Sequence, residues 1–333
     1  MTDLVVVHLY PDLLRTYGDR GNVLALVRRA EWRGFRVRVD SISVGDPLPA
    51  DADVILLGGG TDRAQVVVGP DIAVRRDELC DAAARGAVIL GVCGGYQFLG
   101  RQYVMPDGQI VEGLSLLDVG TVAPAGEDRI IGRVRARADL WGSTFGLFGF
   151  ENHGGRTTLG PGATPLAIVP KGRGNNGRDG TEGAVQDSVL GTYLHGPVLP
   201  INPALADAVL ARSLARRTGG APLEPLDDRL ELAAHRIAGR RERLERLSRP
   251  AVAVRKPLVA TVLLFLAVFL GWMALGEVFD HDGGGPHHPA GAALVRDETP
   301  HTRSKPGEGV AWVLVRPRSI GSSRPRTLTT STR

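Results

Sequence analysis

The segment Gly91-Val92-Cys93-Gly94-Gly95-Tyr96-Gln97 places a thiol between an apolar run and a stretch with helical spacing. A side chain on such a sharp strand-to-helix turn stands exposed to a reactant, and the flanking glycines allow the turn and keep its surroundings open. The N–H groups that begin the helix stabilise a thiolate and can donate to an oxyanion. A lone cysteine is more often an inert small hydrophobe. The glycine framing after a strand reverses that reading and makes Cys93 a candidate nucleophile. Cys80 has no such framing.

A nucleophilic thiol needs a base. His195 stands in Thr192-Tyr193-Leu194-His195-Gly196-Pro197, just past an apolar run. His153 stands in Phe150-Glu151-Asn152-His153-Gly154-Gly155-Arg156. Residue types alone leave His195 only slightly ahead of His153. His8 falls inside an apolar run and reads as a core histidine, and the pair His287-His288 lies in a Gly- and Pro-rich tail, where two histidines are a weak metal signal.

The elements that must position these groups alternate. Short apolar runs at Leu4–Leu9, Phe35–Ile42, Ala52–Leu57 and Ala87–Val92 read as strands. Helical spacing appears over Gly21–Arg33, Asp71–Arg85 and from Tyr96. This alternation predicts an α/β fold, a doubly wound and mostly parallel sheet, with functional groups gathered at the carboxyl ends of the strands. Gly58-Gly59-Gly60 and Cys93 both fall at such ends. Between 110 and 195 Gly and Pro are frequent, and short strands at Ile130–Val134, Pro165–Val169 and Val189–Tyr193 are expected to finish the sheet and wall the site. A helix over Pro203–Arg217 closes a domain of residues 1–220, and a charged amphipathic helix is expected over 226–249, with Leu226, Leu230, Ala233, Ile237, Leu244 and Leu247 on its apolar stripe.

Composition narrows the classes. The 333 residues are 43% hydrophobic and 23% charged, which suits a globular chain. Forty basic residues against 36 acidic ones leave a net charge of +4, too small an excess to argue for nucleic acid. Two cysteines make no disulfide framework and fit a reducing compartment. The N-terminus has no basic region before its first apolar run, so it reads as a strand rather than a signal peptide. Leu258–Leu275 carries no charge and is long enough for a candidate membrane span, which needs about 17–25 apolar residues. Arginines precede it and Glu277, Asp280 and Asp282 follow, so a span over 257–276 would hold the N-terminal domain at the inner face of the membrane. Residues 280–333 have the composition of a disordered tail.

The Gly-Val-Cys-Gly-Gly-Tyr-Gln motif, the Gly58–Gly60 strand end and Tyr193-Leu194-His195-Gly196-Pro197 together resemble class I glutamine amidotransferases of the cobyric acid synthase type. Tyr10-Pro11-Asp12, Tyr17-Gly18-Asp19-Arg20-Gly21-Asn22 and Gly149–Thr157 narrow the resemblance to the GatD glutaminase subunits of lipid II isoglutaminyl synthase, over about residues 1–247. The resemblance implies a flavodoxin-like amidotransferase fold and hydrolysis of L-glutamine to glutamate and ammonia. It implies Cys93 as nucleophile and His195 as base, with backbone N–H groups at Gly60 and Gly94 as the oxyanion hole. It also implies Arg129 and Gln97 as glutamine-binding residues, no metal and no cofactor. Many relatives carry a carboxylate two residues after the histidine. Here that residue is Pro197, so an orienting group must come from elsewhere or the unit is a dyad.

The implied partner is a MurT-like ligase that holds ATP and Mg, receives the ammonia and amidates the D-glutamate of the lipid II stem peptide. No Gly-x-x-x-x-Gly-Lys-Ser/Thr phosphate loop occurs in this chain, so ATP chemistry is expected on another polypeptide. The expected location is cytoplasmic, at or near the membrane. Two rival readings are an amidotransferase for another carboxylate, disfavoured by the lack of a fused synthetase domain, and a non-catalytic flavodoxin-like binding module.

Overall fold

The computed structural model describes residues 4–170 and 172–237. The candidate membrane span over 257–276, the tail over 280–333 and the His287-His288 pair lie outside the described residues. No helix among the described residues is long and apolar enough to cross a membrane.

In chain order the elements are β1 (Leu4–Leu9), α1 (Arg20–Glu31), β2 (Val37–Ile42), β3 (Val54–Leu57), α2 (Asp62–Val74), α3 (Arg76–Ala84), β4 (Val88–Val92) and α4 (Gly94–Leu99). Then come β5 (Gln102–Val104), β6 (Ile110–Glu112), β7 (Val119–Val122), β8 (Ile130–Leu140), β9 (Ser143–His153), β10 (Arg156–Leu159), β11 (Ala167–Ile168) and β12 (Thr181–Glu182). The described part closes with β13 (Ala184–Gln186), β14 (Val189–Thr192), α5 (Val198–Ile201) and α6 (Pro203–Thr218).

The main sheet has six strands in the order β13-β14-β4-β3-β1-β2, parallel except where β13 meets β14. Its central strands are buried along their whole length, as their unbroken apolar runs require when both faces are covered. Each fully buried Leu, Ile or Val contributes about 1.5–3 kcal/mol, and these strands form the centre of the core.

The strands between 110 and 195 do more than finish that sheet. Only β13 and β14 join it. The others, joined by the earlier β5, build two separate four-stranded sheets, β10-β7-β5-β6 and β12-β11-β8-β9, the second antiparallel throughout around the long β8–β9 hairpin. The helix expected over Asp71–Arg85 is two helices, α2 and α3, and α2 starts nine residues earlier, at Asp62. Thr61 caps it by accepting the Ala64 N–H, and Pro70 sits inside it.

At the C-terminal side, a helical stretch runs over residues 229–237 rather than from 226. Of its expected apolar stripe, Leu230 and Ile237 are exposed and Leu226 and Ala233 half-buried, while residues 238–249 of the expected helix lie outside the described residues. Polar contacts hold the described stretch. Arg29 of α1 pairs with both Asp207 of α6 and Asp228, and His235 Nδ1 bonds the Ile201 carbonyl while its ring meets Phe148 edge-on.

Candidate active site

Cys93 is the residue at which β4 becomes α4. Its backbone lies at φ 51°, ψ −102°, a conformation that L side chains rarely adopt. Close packing enforces it. A Cβ at Gly95 would lie 2.3 Å from the Leu57 carbonyl oxygen, and one at Gly191 would lie 1.9 Å from the Tyr96 ring. Both positions need glycine so that the elbow can sit down on β3 and β14.

His195 follows β14 and is fully buried. Its Nδ1 lies 3.4 Å from Asp19 Oδ1, and Asp19 Oδ2 accepts the Gly59 N–H at 2.6 Å. Its Nε2 is buried and makes no hydrogen bond of full geometry, with the Cys93 thiol at the edge of that contact. Burial works against the charged imidazole, but Asp19 and the Cys93 sulfur outweigh it and raise the His195 pKa to about 9. One point shows how tightly the three groups converge. A Cβ at Gly59 would lie 2.7 Å from His195 Cε1, 3.2 Å from Asp19 Oδ2 and 3.4 Å from Cys93 Cβ.

The expected oxyanion residues are brought together. A Cβ at Gly94 would lie 2.9 Å from the Gly60 nitrogen, so the backbone of β3's glycine-rich end borders the first turn of α4 beside Cys93. Gln97 is buried on that turn. Its Oε1 accepts from Gln65 Nε2 at 2.8 Å and its Nε2 donates to Tyr193 Oη at 3.4 Å.

Arg129, just before β8, is exposed. It donates through Nε to Asn152 Oδ1 and through Nη2 to the Asn152 carbonyl, both at 2.7 Å. Asn152 in turn donates to Tyr17, whose ring leans on His195 with centroids 4.8 Å apart. The turn Gly154-Gly155 runs between Arg129 and Gln97. A Cβ at Gly154 would be 3.5 Å from Arg129 Nη1, and one at Gly155 would be 2.7 Å from Gln97 Nε2. His153 is engaged in other contacts. It is buried, stacked on Tyr193 at 3.6 Å with planes 7° apart, and bonded through Nδ1 to the Gly155 carbonyl. His8 lies buried in β1, and burial lowers its pKa.

A thiol, a buried imidazole oriented by a carboxylate, and backbone N–H groups beside the thiol can together cleave an amide through a thioester. Comparison with known proteins agrees with that chemistry. Residues 5–203 match the family model for the CobB/CobQ-like glutamine amidotransferase domain. The chain belongs to this family. It is 37% identical over 252 residues to the GatD subunit of lipid II isoglutaminyl synthase (glutamine-hydrolyzing) from Staphylococcus aureus (strain N315), spanning 75% of this chain and 100% of that protein. It is 36% identical to the same-named subunit from Streptococcus pneumoniae (strain ATCC BAA-255 / R6), over 65% of this chain and 82% of the relative. A cobyric acid synthase from Rhodobacter capsulatus is 38% identical over 48% of this chain, but only 32% of that protein is covered.

Within this amidotransferase site, Asp19 is the residue that motif reasoning missed. Pro197 occupies the position where a carboxylate was sought, and it packs instead on the start of α1. A Cβ at Gly21 would lie 2.3 Å from Pro197 Cγ. That contact brings the turn ahead of α1, and with it Asp19, to the imidazole. Asn22 reinforces the arrangement, accepting the Leu199 N–H through Oδ1. The available signal was positional: Asp19 lies in the loop at the carboxyl end of β1, where this sheet collects its functional groups. Gln65, Asn152 and Tyr17 were likewise not anticipated as parts of the site.

Proposed function

We propose that this protein is the glutaminase subunit of a lipid II isoglutaminyl synthase. It hydrolyses L-glutamine to glutamate and ammonia. The ammonia passes to a MurT-like ligase, which amidates the D-glutamate of the lipid II stem peptide during peptidoglycan synthesis. The observation that carries the hydrolytic step is the convergence of Cys93, His195 and Asp19 around Gly59. The choice of acceptor rests on the 37% identity to a GatD subunit matched along its whole length.

In this reading the Cys93 thiolate attacks the side-chain carbonyl carbon of glutamine. The N–H groups of Gly60 and Gly94 hold the oxyanion as it forms. The C–N bond breaks as His195, protonated through the Asp19 contact, delivers its proton to the leaving nitrogen, and ammonia departs. A water molecule gives a proton to His195 and attacks the thioester carbon, releasing glutamate and restoring the thiolate–imidazolium pair. Arg129 holds the substrate α-carboxylate through donors that Asn152 leaves open, and Gln97 borders the carbon chain. ATP and Mg belong to the partner ligase, and the complex works on the cytoplasmic side, where a lipid-linked stem peptide is within reach.

The test is ammonia release from L-glutamine by the full-length protein, alone and with a MurT-like ligase, followed by isoglutamine formation on lipid II. Glutamine hydrolysis that never yields amidated lipid II with such a partner would keep the glutaminase and overturn the acceptor. No hydrolysis under either condition would overturn both.

A further inference from the structure

Four buried polar atoms lack a hydrogen-bond partner among the described residues: Gln65 Oε1, His153 Nε2, Glu182 Oε2 and His195 Nε2. A buried acceptor or donor without a partner is costly, and such atoms in a folded protein call for an explanation. His195 Nε2 has one in the neighbouring Cys93. His153 Nε2 lies 3.9 Å from Glu151 Oε2, in the layer behind Tyr193, and Glu182 is used through its other oxygen by Tyr193 N–H and the Thr192 hydroxyl. Gln65 Oε1 is different, because its amide lies beside Gly94, the residue after the catalytic thiol.

Gln65 is polar in the run Ala64-Gln65-Val66-Val67-Val68 on α2, yet it is 2% exposed. Its amide reaches the elbow. A Cβ at Gly94 would lie 3.1 Å from Gln65 Nε2 and 2.9 Å from the Gly60 nitrogen, so this amide faces the same space as the expected oxyanion groups. It ends a chain of hydrogen bonds that runs Thr121–Thr157–Tyr193–Gln97–Gln65. With Gln97 donating to Tyr193, its Oε1 takes Gln65 Nε2, and Gln65 is left presenting an acceptor with nothing on it.

L-Glutamine brings three polar ends. The carboxamide goes to Cys93 and the oxyanion donors. The α-carboxylate requires a cation, which Arg129 supplies at one side of the Gly154-Gly155 turn. The α-ammonium requires acceptors; Gln97 borders the other side of that turn, and its hydrogen-bonded neighbour Gln65 carries the one open acceptor of the pair. We propose that Gln65 is a specificity-determining residue whose side-chain carbonyl accepts a hydrogen bond from the α-ammonium group of bound L-glutamine. This rests on the glutaminase reading above.

The test compares L-glutamine with glutaramate, which keeps the carboxamide and the carboxylate but has no α-amino group. The full-length protein and its Gln65→Met and Gln65→Glu variants are assayed for ammonia release on both, and for binding of both by calorimetry. Wild type is expected to favour L-glutamine. Gln65→Met should lose about 10- to 100-fold more in kcat/KM on L-glutamine than on glutaramate, mostly through KM, with its fold checked by circular dichroism. Gln65→Glu keeps an acceptor and should retain most of the preference. Equal losses on the two substrates, or an unchanged preference in Gln65→Met, would overturn the assignment. Binding preference that depends on Gln65 without hydrolysis of either compound would uphold this inference and overturn the glutaminase reading.

Discussion

Asp19 and His195 are 176 positions apart in the chain, yet Asp19 Oδ1 lies 3.4 Å from His195 Nδ1, and both side chains are buried. The carboxylate holds the ring in one orientation and favours its protonated form. Since the raised pKa is about 9, the imidazolium persists through neutral pH and gives up its proton only as the solution becomes alkaline. The catalytic acid is then lost, so the rate of ammonia release should fall through an alkaline limb near 9. In Asp19→Asn that limb should move toward neutral pH and the maximal rate should drop. A pH–rate profile for Asp19→Asn that overlays the wild type would remove Asp19 from the catalytic unit.

Cys93→Ala should abolish glutamine hydrolysis with the fold retained, because the change deletes one sulfur from a site that nothing else can replace. Cys80, on α3 and away from the elbow, should tolerate alanine with full activity. Circular dichroism together with an ammonia assay checks both. Residual wild-type turnover in Cys93→Ala would end the assignment.

His195→Ala should cost about 10²–10⁴-fold in rate, the usual worth of a positioned acid–base group. His153→Ala should act differently. It removes a ring stacked on Tyr193 and leaves a cavity, so its main effect should be a lower Tm. Thermal melts and kcat measured side by side distinguish the two, and a larger kcat loss in His153→Ala would return the base to that residue.

Arg129→Ala should raise KM for L-glutamine by about tenfold or more, the value of one charged hydrogen bond, with little change in Tm because the residue is exposed. Asn152→Ala should raise KM less, since it frees Arg129 from its orientation without removing the charge. Unaltered KM in Arg129→Ala would leave the carboxylate to another group.

Glu182 offers a stability test with a definite sign. Burial, with the charge of Glu151 adding to it, raises its pKa to about 7 against the opposing hydrogen bonds from Tyr193 and Thr192. The folded state therefore holds a proton that the unfolded state has released between the ordinary glutamate range and 7. Stability should decline as pH rises across that window. Glu182→Gln should flatten the decline. Melts at several pH values check it, and an unchanged slope in the variant would assign the pH dependence elsewhere.

Much of this site was legible where local rules and function agree. Cys93 and the strand end before His195 could be found because a sharp turn after an apolar strand leaves glycine at fixed offsets, and β1, β3 and β4 could be found because strands buried on both faces read as continuous apolar runs. The two smaller four-stranded sheets were not legible as such. Apart from β8 and β9 their strands are short, and pairing between distant segments leaves no periodic mark. Asp19 was hidden for a related reason: its role comes from Pro197 packing on Gly21, a contact between two residues with no local signature. Gln65 looked like an ordinary helix residue, since a polar side chain in an apolar run is informative only once its burial is known. The α2 start was masked by Gly69-Pro70, which reads as a breaker but is absorbed within the helix.

The packing beneath Cys93 also bears on how such an enzyme can be switched on. Side chains are excluded at Gly91, Gly95 and Gly191 by backbone or ring atoms within 3 Å, so the turn that carries the thiol cannot shift to a second position without unpacking the sheet. Any dormant state must therefore differ at the rim, where half-exposed Tyr17 leans on His195 and is joined through Asn152 to exposed Arg129. A rigid nucleophile under an adjustable cover would let the rim set when glutamine is spent, while the thiol keeps its place.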